Sequence, residues 1–208
     1  MDAALRIADT RGVTELSMRN LAEALAVKAM SLYNHISNKD EILDGMVDTV
    51  VAQIDVPRRG RDWKSEMRRR ALSAHEVLLR HPWAAMELMS RVNVGPAMFR
   101  YVDATLGCLL EAGFSPETAD HAWNALDSHI YGFTLQELNF PFAEEDYQEA
   151  AGDYMDRIPV EEFPNLNKMA TLVMSGEYDG LHDFEFGLNF ILDGLETTLL
   201  RERGLTRS

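Results

Sequence analysis

Apolar residues recur at helical spacing along most of the chain, and no segment alternates apolar and polar residues for long enough to predict a β-strand. Glycine and proline cluster between the periodic segments. The pattern therefore predicts an all-α protein of nine or ten helices. The candidate segments are residues 2–11, 18–26, 28–36, 39–54, 63–80, 82–89, 95–111, 116–138, 163–174 and 184–203.

Three of the predicted helix starts carry residues that cap a helix. Ser115 comes directly before a proline, Asn38 stands three residues before a glutamate, and Ser17 precedes the second helix. A side-chain oxygen at such a position accepts a hydrogen bond from an N–H group that the first helical turn leaves unpaired. We therefore expect a helix to begin directly after each of these residues.

Two short helices with a tight connection lie near the N-terminus. Leu21 and Leu25 share one face of the first helix, and Leu32 and Ile36 share a face of the second. Two short helices packed across such a turn form a helix-turn-helix, whose second helix enters the major groove of DNA. The sequence predicts a three-helix DNA-binding domain over residues 1–46 and a larger helical domain over residues 47–208, although such hairpins also occur without any DNA-binding role.

The outward surface of the second helix carries uncharged side chains. Met30 can contact a thymine methyl group, Asn34 can pair with adenine, and Ser31 can serve either base. Four further side chains can bind phosphates: those of Arg19, Tyr33, His35 and Lys39. Arg19 could bind guanine instead. Ordinary exposed positions of a helical hairpin would also accept these residues, so spacing alone leaves both interpretations open.

At these positions the sequence resembles the DNA-binding domain of the tetracycline-repressor (TetR) family of bacterial transcriptional regulators. The matching residues are Leu16-Ser17-Met18-Arg19, Leu21-Ala22, Leu25, Val27, Ser31-Leu32-Tyr33, His35, Asn38-Lys39 and Leu43. A weaker resemblance to the C-terminal domain of the tetracycline-repressor subgroup is carried by Trp63, His81-Pro82-Trp83, Gly113-Phe114-Ser115, Gly132-Phe133, Phe163-Pro164, Phe184-Glu185-Phe186-Gly187-Leu188 and Asp193-Gly194-Leu195.

The resemblance implies a ligand-responsive transcriptional repressor that binds a palindromic double-stranded operator as a homodimer. A small-molecule effector in the C-terminal domain would release the DNA. By matching positions, the DNA-binding residues are Ser17, Met18 and Arg19 on the supporting helix, Ala29, Met30, Ser31, Tyr33, Asn34 and His35 on the recognition helix, and Lys39 as a phosphate contact. Family members often carry a basic arm before the first helix, whereas this chain has Asp2 there.

Dimerisation is expected through the helices over residues 116–138 and 184–203, which would form a four-helix bundle with their two-fold mates. Each helix has an apolar stripe. The stripe residues are Ala122, Leu126, Ile130 and Phe133 on the first helix, and Leu188, Ile191, Leu195 and Leu199 on the second. Stripes of this kind also occur as plain core, and that alternative stays open.

Aromatic and methionine side chains in the C-terminal part predict an apolar effector pocket between helices. Such side chains give an adaptable surface, and a histidine or aspartate among them can orient a ligand. The candidates are Trp83, Met86, Met89, Phe99, Val102, Trp123, Asp127, His129, Ile130 and Phe133. Eleven methionines favour a hydrophobic or aromatic effector. The alternative is that each residue belongs to the core.

Charge is unevenly distributed in this strongly acidic chain. Its formal net charge is −14, whereas residues 1–70 carry +1 and residues 1–50 carry −3. Nucleic acid can therefore be bound only locally, through few phosphate contacts. The basic cluster, which consists of Arg58, Arg59, Arg61, Lys64, Arg68, Arg69 and Arg70, lies beyond the predicted DNA-binding domain. We expect it to serve the junction between the domains more than DNA.

Other functional classes find little support in the sequence. His75 and His81 are six residues apart, so they do not share a helical face as the zinc-protease motif requires. No phosphate-binding loop, nucleophile elbow or cofactor motif is found, and no apolar run is long enough for a membrane span. We expect a cytoplasmic regulator without cofactor or enzymatic activity. The acidic segment 139–162 is either a lid over a ligand or a solvated face.

Overall fold

The computed structural model describes residues 1–33, 36, 38–141, 152, 159–178 and 183–204, with only the backbone of Ala29. Within these ranges every regular element is helical and no β-strand occurs, which confirms the all-α prediction. A 3₁₀ turn covers Val13–Glu15. The α-helices are α1 Asp2–Arg11, α2 Met18–Ala24, α3 Ala29–Tyr33, α4 Lys39–Val51, α5 Trp63–Arg80, α6 Ala84–Ser90, α7 Pro96–Glu111, α8 Pro116–Leu138, α9 Pro164–Met174 and α10 Phe184–Glu202.

The three predicted caps are confirmed. Ser17 Oγ accepts from the Asn20 N–H at 3.1 Å, and Asn38 Oδ1 accepts from the Glu41 N–H at 2.9 Å. The third cap is Ser115, whose Oγ accepts from the N–H of the residue three positions later at 3.2 Å. A fourth, which we did not predict, is Asp62 at the start of α5. Local chemistry therefore sets these helix starts.

Helix α6 begins two residues later than predicted. The Ala84 N–H bonds to the His81 carbonyl oxygen at 2.8 Å, which closes a turn before the helix. This turn carries His81 and Trp83 to Asp9 on α1, where both ring N–H groups meet one carboxylate oxygen. The predicted helix at 82–89 is thus corrected to Ala84–Ser90, because contact with α1 determines the conformation of these residues.

The chain divides into two compact units, residues 1–138 with 185–208, and residues 139–184. In the larger unit, α5 packs against α4, α7 and α8. Its buried face consists of Glu66, Met67, Arg70, Ala71, Ala74, Val77 and Leu78. In the smaller unit, α9 has Pro164 in its first turn. Most of the acidic segment 139–162 lies outside the described residues.

The apolar stripes of α8 and α10 are largely core within one chain. Ala122, Leu126 and Ile130 are buried on α8, as are Leu188 and Leu199 on α10. Of the two alternatives left open by the sequence, plain core therefore holds for these five residues, since their own chain already covers them. The exposed apolar face of α10 instead carries Phe186 and Phe190, whose rings pack edge to face with centroids 4.9 Å apart.

Most members of the basic cluster form ion pairs within the chain. Among the described residues, every member except Arg61 has a carboxylate partner. Lys64 binds Glu196 at 2.6 Å and Arg68 binds Glu185 at 3.2 Å, so α5 is tied to α10. The partners of the others are Glu66 for Arg58 and Arg69, Glu111 for Arg59, and Asp127 for Arg70.

Glu66 is the buried centre of these ion pairs. Its carboxylate accepts from the Arg58 guanidinium at 2.7 Å and from Arg69 at 2.8 Å. The hydrogen bond from Arg58 lowers the pKa of Glu66 from 4.5 to about 2. Because the unfolded chain keeps the ordinary value, the stabilisation is complete above about pH 4.5 and is lost as the pH falls toward about 2.

Replacing Glu66 with glutamine should lower the melting temperature at neutral pH, because a neutral amide does not neutralise the two guanidinium groups. The difference between wild type and Glu66→Gln should shrink as the pH falls from about 5 toward about 2, where the wild-type carboxylate becomes protonated. Thermal melts across this range measure the effect. The exposed Glu117→Gln on α8 is the control, and a gap that stays constant with pH would contradict the assignment.

Candidate DNA-binding surface and effector site

Helices α2 and α3 form a tight hairpin near the N-terminus. The connection includes Ala26 at a φ of 54° and closes with a bond from the Val27 N–H to the Ala22 carbonyl oxygen at 3.0 Å. Leu21 and Leu32 are buried and hold the two helices together. The predicted helix-turn-helix is therefore present, with α3 on its outer side.

The described outer surface of α3 is open and uncharged. The side chain of Met30 is 75% exposed and that of Tyr33 is 51% exposed. Ser31 is exposed between them. Asn34, His35 and the Ala29 side chain, also predicted to face DNA, lie outside the described residues. The available side chains offer apolar and hydroxyl contacts, which suit base edges better than phosphates.

The remaining predicted DNA contacts frame this surface. Ser17 and Met18 at the start of α2 are half-buried, and Arg19 is exposed. Lys39 at the start of α4 is exposed and donates to the Val13 carbonyl oxygen at 3.3 Å. That bond brings the Lys39 ammonium to the 3₁₀ turn that precedes α2. The supporting residues therefore provide two cations for phosphates.

The segment that connects α5 to α7 is bonded to the N-terminal helices. Asp9 Oδ1 of α1 accepts from Trp83 Nε1 at 2.7 Å and lies 2.8 Å from His81 Nδ1. The other ring nitrogen of His81 lies 3.1 Å from Gln53 Nε2, just after α4. One histidine thus connects α1 with the end of α4.

Further polar contacts join the same segment to α4. Arg91, after α6, binds Asp44 at 2.9 Å and Asp40 at 3.2 Å. Asp48 Oδ1 accepts from the N–H groups of Ala97 and Met98 at 2.9 and 3.0 Å, so a side chain of α4 caps α7. A Cβ atom on Gly95 would lie 2.1 Å from that oxygen, so glycine is needed there.

A buried polar cluster, defined here as Arg70, Tyr101, Trp123, Asp127 and Tyr131, lies between α5, α7 and α8. Asp127 accepts from Arg70, from Trp123 Nε1 at 2.6 Å and from the Tyr131 hydroxyl at 3.3 Å. The Arg70 guanidinium carbon stacks 4.4 Å from the centre of the Tyr101 ring. Burial raises the pKa of Tyr101 and of Tyr131, so both phenols stay protonated at neutral pH.

The predicted effector residues do not form one group. Trp123 and Asp127 belong to the polar cluster, and Ile130 is buried next to them on α8. On the same helix His129 packs against Phe133, with ring centroids 5.6 Å apart. Trp83 is buried against α1, and Val102 is half-buried. The residues Met86, Met89 and Phe99 are more than half exposed.

Arg70, Tyr101 and Tyr131 were not among the predicted effector residues. Arg70 ends a run of three arginines, which in a sequence is typical of a solvated surface. Its spacing from Met67, Ala71 and Ala74 places it on the apolar stripe of α5, and that signal could have identified it.

Two family models match the chain. The model for bacterial regulatory proteins of the tetR family matches residues 1–46, and the model for the tetracyclin repressor-like C-terminal domain matches residues 56–199. The chain belongs to the TetR family. It is accordingly a DNA-binding regulator with a ligand-binding C-terminal domain, and not an enzyme. Its family partners are operator DNA, a small-molecule effector and a second copy of the chain.

Individual relatives agree with this assignment. An HTH-type transcriptional regulator from Saccharopolyspora erythraea is 34% identical over 133 residues, which are 64% of this chain and only 56% of that protein. Tetracycline repressor protein class D from Escherichia coli is 29% identical over 96% of this chain and 88% of its own. The crystal structure of ActR from Streptomyces coelicolor in complex with actinorhodin has a TM-score of 0.80 and 29% identity, with 95% of both chains covered.

The described part of this TetR-family chain also lacks two other kinds of feature. Each of its helices is either too short or too polar to cross a bilayer. No group of three or more histidine, cysteine or acidic side chains in the same ranges is placed to hold a metal ion.

Tyr33→Ala should weaken operator binding by at least about 30-fold, because a dimer loses the contact twice and each lost contact costs about 1–3 kcal/mol. The dimer should persist, since Tyr33 lies on the exposed face of α3. Fluorescence anisotropy with labelled operator measures the affinity, and light scattering measures the mass. Val92→Ala, at an exposed site after α6, is the control; retained binding by Tyr33→Ala would remove α3 as the recognition helix.

Proposed function

We propose that this protein is a cytoplasmic transcriptional repressor that binds a palindromic operator as a homodimer and releases it when an effector enters the C-terminal domain. The observation that carries the proposal is the open, uncharged face formed by the described side chains of α3, with the cations Arg19 and Lys39 beside it. Residues 1–46 would form the DNA-binding domain and residues 47–208 the ligand-binding and dimerisation domain.

The DNA contacts would be the ten residues named from the sequence. Met30, Ser31 and Asn34 would contact base edges. Tyr33, His35, Arg19 and Lys39 would bind phosphates, or guanine in the case of Arg19. Two recognition helices must then lie about 34–36 Å apart to reach successive major grooves. Dimer contacts through α8 and α10 would supply this spacing, and the exposed Phe186 and Phe190 support a contact on α10.

The effector would bind around α8, at Trp123, Asp127 and their neighbours. ActR, which carries actinorhodin in its crystal structure, supports a small organic molecule as the effector. Two separate groups of residues would serve different parts of the site. The polar cluster would orient the ligand, whereas the exposed Met86, Met89 and Phe99 would offer apolar surface.

Effector binding would reach the DNA-binding domain through the polar contacts of residues 81–98. Trp83 and Arg91 bind carboxylates of α1 and α4, and Asp48 of α4 caps α7. A shift of α6 or α7 therefore changes the bonds that position α1 and α4. An effector that prefers the DNA-free state by about 1–3 kcal/mol would weaken operator binding about 5- to 150-fold.

Selection of bound sequences from a random DNA pool tests the function directly. We expect the purified protein to enrich one palindrome and to bind it as one dimer. A compound screen should then identify effectors by release of the labelled palindrome. Enrichment of no sequence by a folded dimer would contradict the proposed function, and an enriched sequence without two-fold symmetry would contradict the dimeric reading of the operator.

Gly95→Ala should uncouple α4 from α7, because its Cβ would displace the Asp48 carboxylate that caps α7. We expect a loss of about 0.5–2 kcal/mol in the free energy of unfolding, the usual cost of a lost cap. We also expect a weaker response to an effector found in the screen. Denaturant unfolding and operator release measure the two effects.

The matched control is Gly107→Ala inside α7, the helix that Gly95 precedes, where nothing lies within 4 Å of the added Cβ. Alanine is the better helix former, so this variant should be slightly more stable. Equal stability and equal effector response in both variants would contradict the role of the Asp48 cap.

A further inference from the structure

Arg70 is buried with most of its hydrogen-bonding capacity unused. Its side chain is fully inaccessible to solvent, and Nη2 donates to Asp127. Within the described residues, Nε and Nη1 of Arg70 have no hydrogen-bond partner, and neither does the Tyr101 hydroxyl. Three polar atoms without partners thus meet at one contact, where the guanidinium stacks on the Tyr101 ring.

Stability does not explain this arrangement. A buried N–H group without a partner lowers the free energy of unfolding, since it gives up its bond to water. Apolar side chains of similar volume often replace a buried ion pair without loss of stability. Groups that remain buried and unsatisfied in a native protein are expected at functional sites.

The unused capacity of the polar cluster is mainly for donation. Asp127 already accepts from three side chains, Arg70, Trp123 and Tyr131. The charges of Arg70 and Asp127 cancel, so the cluster has no net charge to offer. What remains is the N–H groups of Arg70 and a Tyr101 hydroxyl that stays protonated because burial raises its pKa.

We propose that the effector carries an oxygen acceptor, a carbonyl or carboxylate, that binds to Arg70 and Tyr101. This inference rests on the proposed function, and it names the chemistry that the effector must present. Trp123 and Tyr131 are only half-buried, whereas Arg70 is fully covered. In this proposal the ligand approaches Arg70 from the side of these two rings, which would have to move, and its acceptor takes the unused N–H groups.

The test is a screen for release of the labelled, selected operator by two sets of aromatic compounds. One set bears ketone or carboxylate groups, and the other bears alkyl or halogen groups on scaffolds of matched size. We expect the releasing compounds to come from the oxygen-bearing set. Ketones and carboxylates within that set distinguish a neutral from an anionic acceptor.

Substitutions then test whether Arg70 binds the oxygen acceptor of the effector. Arg70→Met should require at least about tenfold more compound for release, as expected when a hydrogen bond to a charged group is lost. Operator affinity without compound is measured for each variant, so that the loss of response is expressed relative to that variant's own operator binding. Arg80→Met, the same substitution at an exposed position of α5, is the control and should respond like wild type. Should Arg70→Met fail to fold, Tyr101→Phe removes only the hydroxyl and should weaken the response in the same direction.

The outcomes separate the two proposals. Equal release by the oxygen-free set would contradict the proposed oxygen acceptor, and so would an unchanged response of both variants. Neither result would contradict the proposed repressor function. Failure of every compound to release a tightly bound operator would count against effector control itself, and with it against this inference.

Discussion

Helix α5 carries five charged side chains in its first two turns, and each of them has an ion-pair partner. The charged residues are Lys64, Glu66, Arg68, Arg69 and Arg70. Their partners come from other parts of the chain: Arg58 of the preceding connection, Asp127 of α8, and Glu185 and Glu196 of α10. The buried Arg70–Asp127 pair defines the rotation of α8 on α5, because a guanidinium donates to a carboxylate only along its N–H directions, whereas Lys64 and Arg68 add exposed ion pairs to α10. The apolar contacts of Met67, Ala74 and Leu78 then fill the space that this arrangement leaves.

The same packing determines which cations are paired within the chain and which are left to bind DNA. The cations that could have given the chain a general affinity for DNA are bound internally by carboxylates, so the acidic body repels phosphates. What remains for DNA is a small surface on α3 with Arg19 and Lys39 beside it. A regulator built this way depends on fit to base edges, since few released counterions contribute to its affinity. Low affinity for random sequence is then a property of the whole molecule.

Local signals predicted the helices well, but they did not predict which polar side chains of the C-terminal part are buried together. Ser17, Asn38 and Ser115 were identifiable because a cap involves residues three positions apart. The predicted start of α6 was wrong, because the conformation of residues 81–83 depends on a contact with Asp9, more than 70 positions away. Buried polar side chains are still harder to predict from the sequence. Arg70 is one of three consecutive arginines, and its partner Asp127 is 57 positions away. The recognition helix was predictable for the opposite reason: its role depends on a short, continuous segment.

The hydrogen bond between the Trp83 indole and Asp9 makes Trp83 a possible fluorescent reporter. The chain has three tryptophans, and they lie in three different settings. Trp63 packs edge to face on Phe114, Trp83 is bonded to α1, and Trp123 is bonded to Asp127 in the polar cluster. Indole emission responds to the polarity around the ring and to hydrogen bonding at its nitrogen. With the other two tryptophans replaced, Trp83 would thus report on the junction with the N-terminal helices and Trp123 on the polar cluster, without any added label.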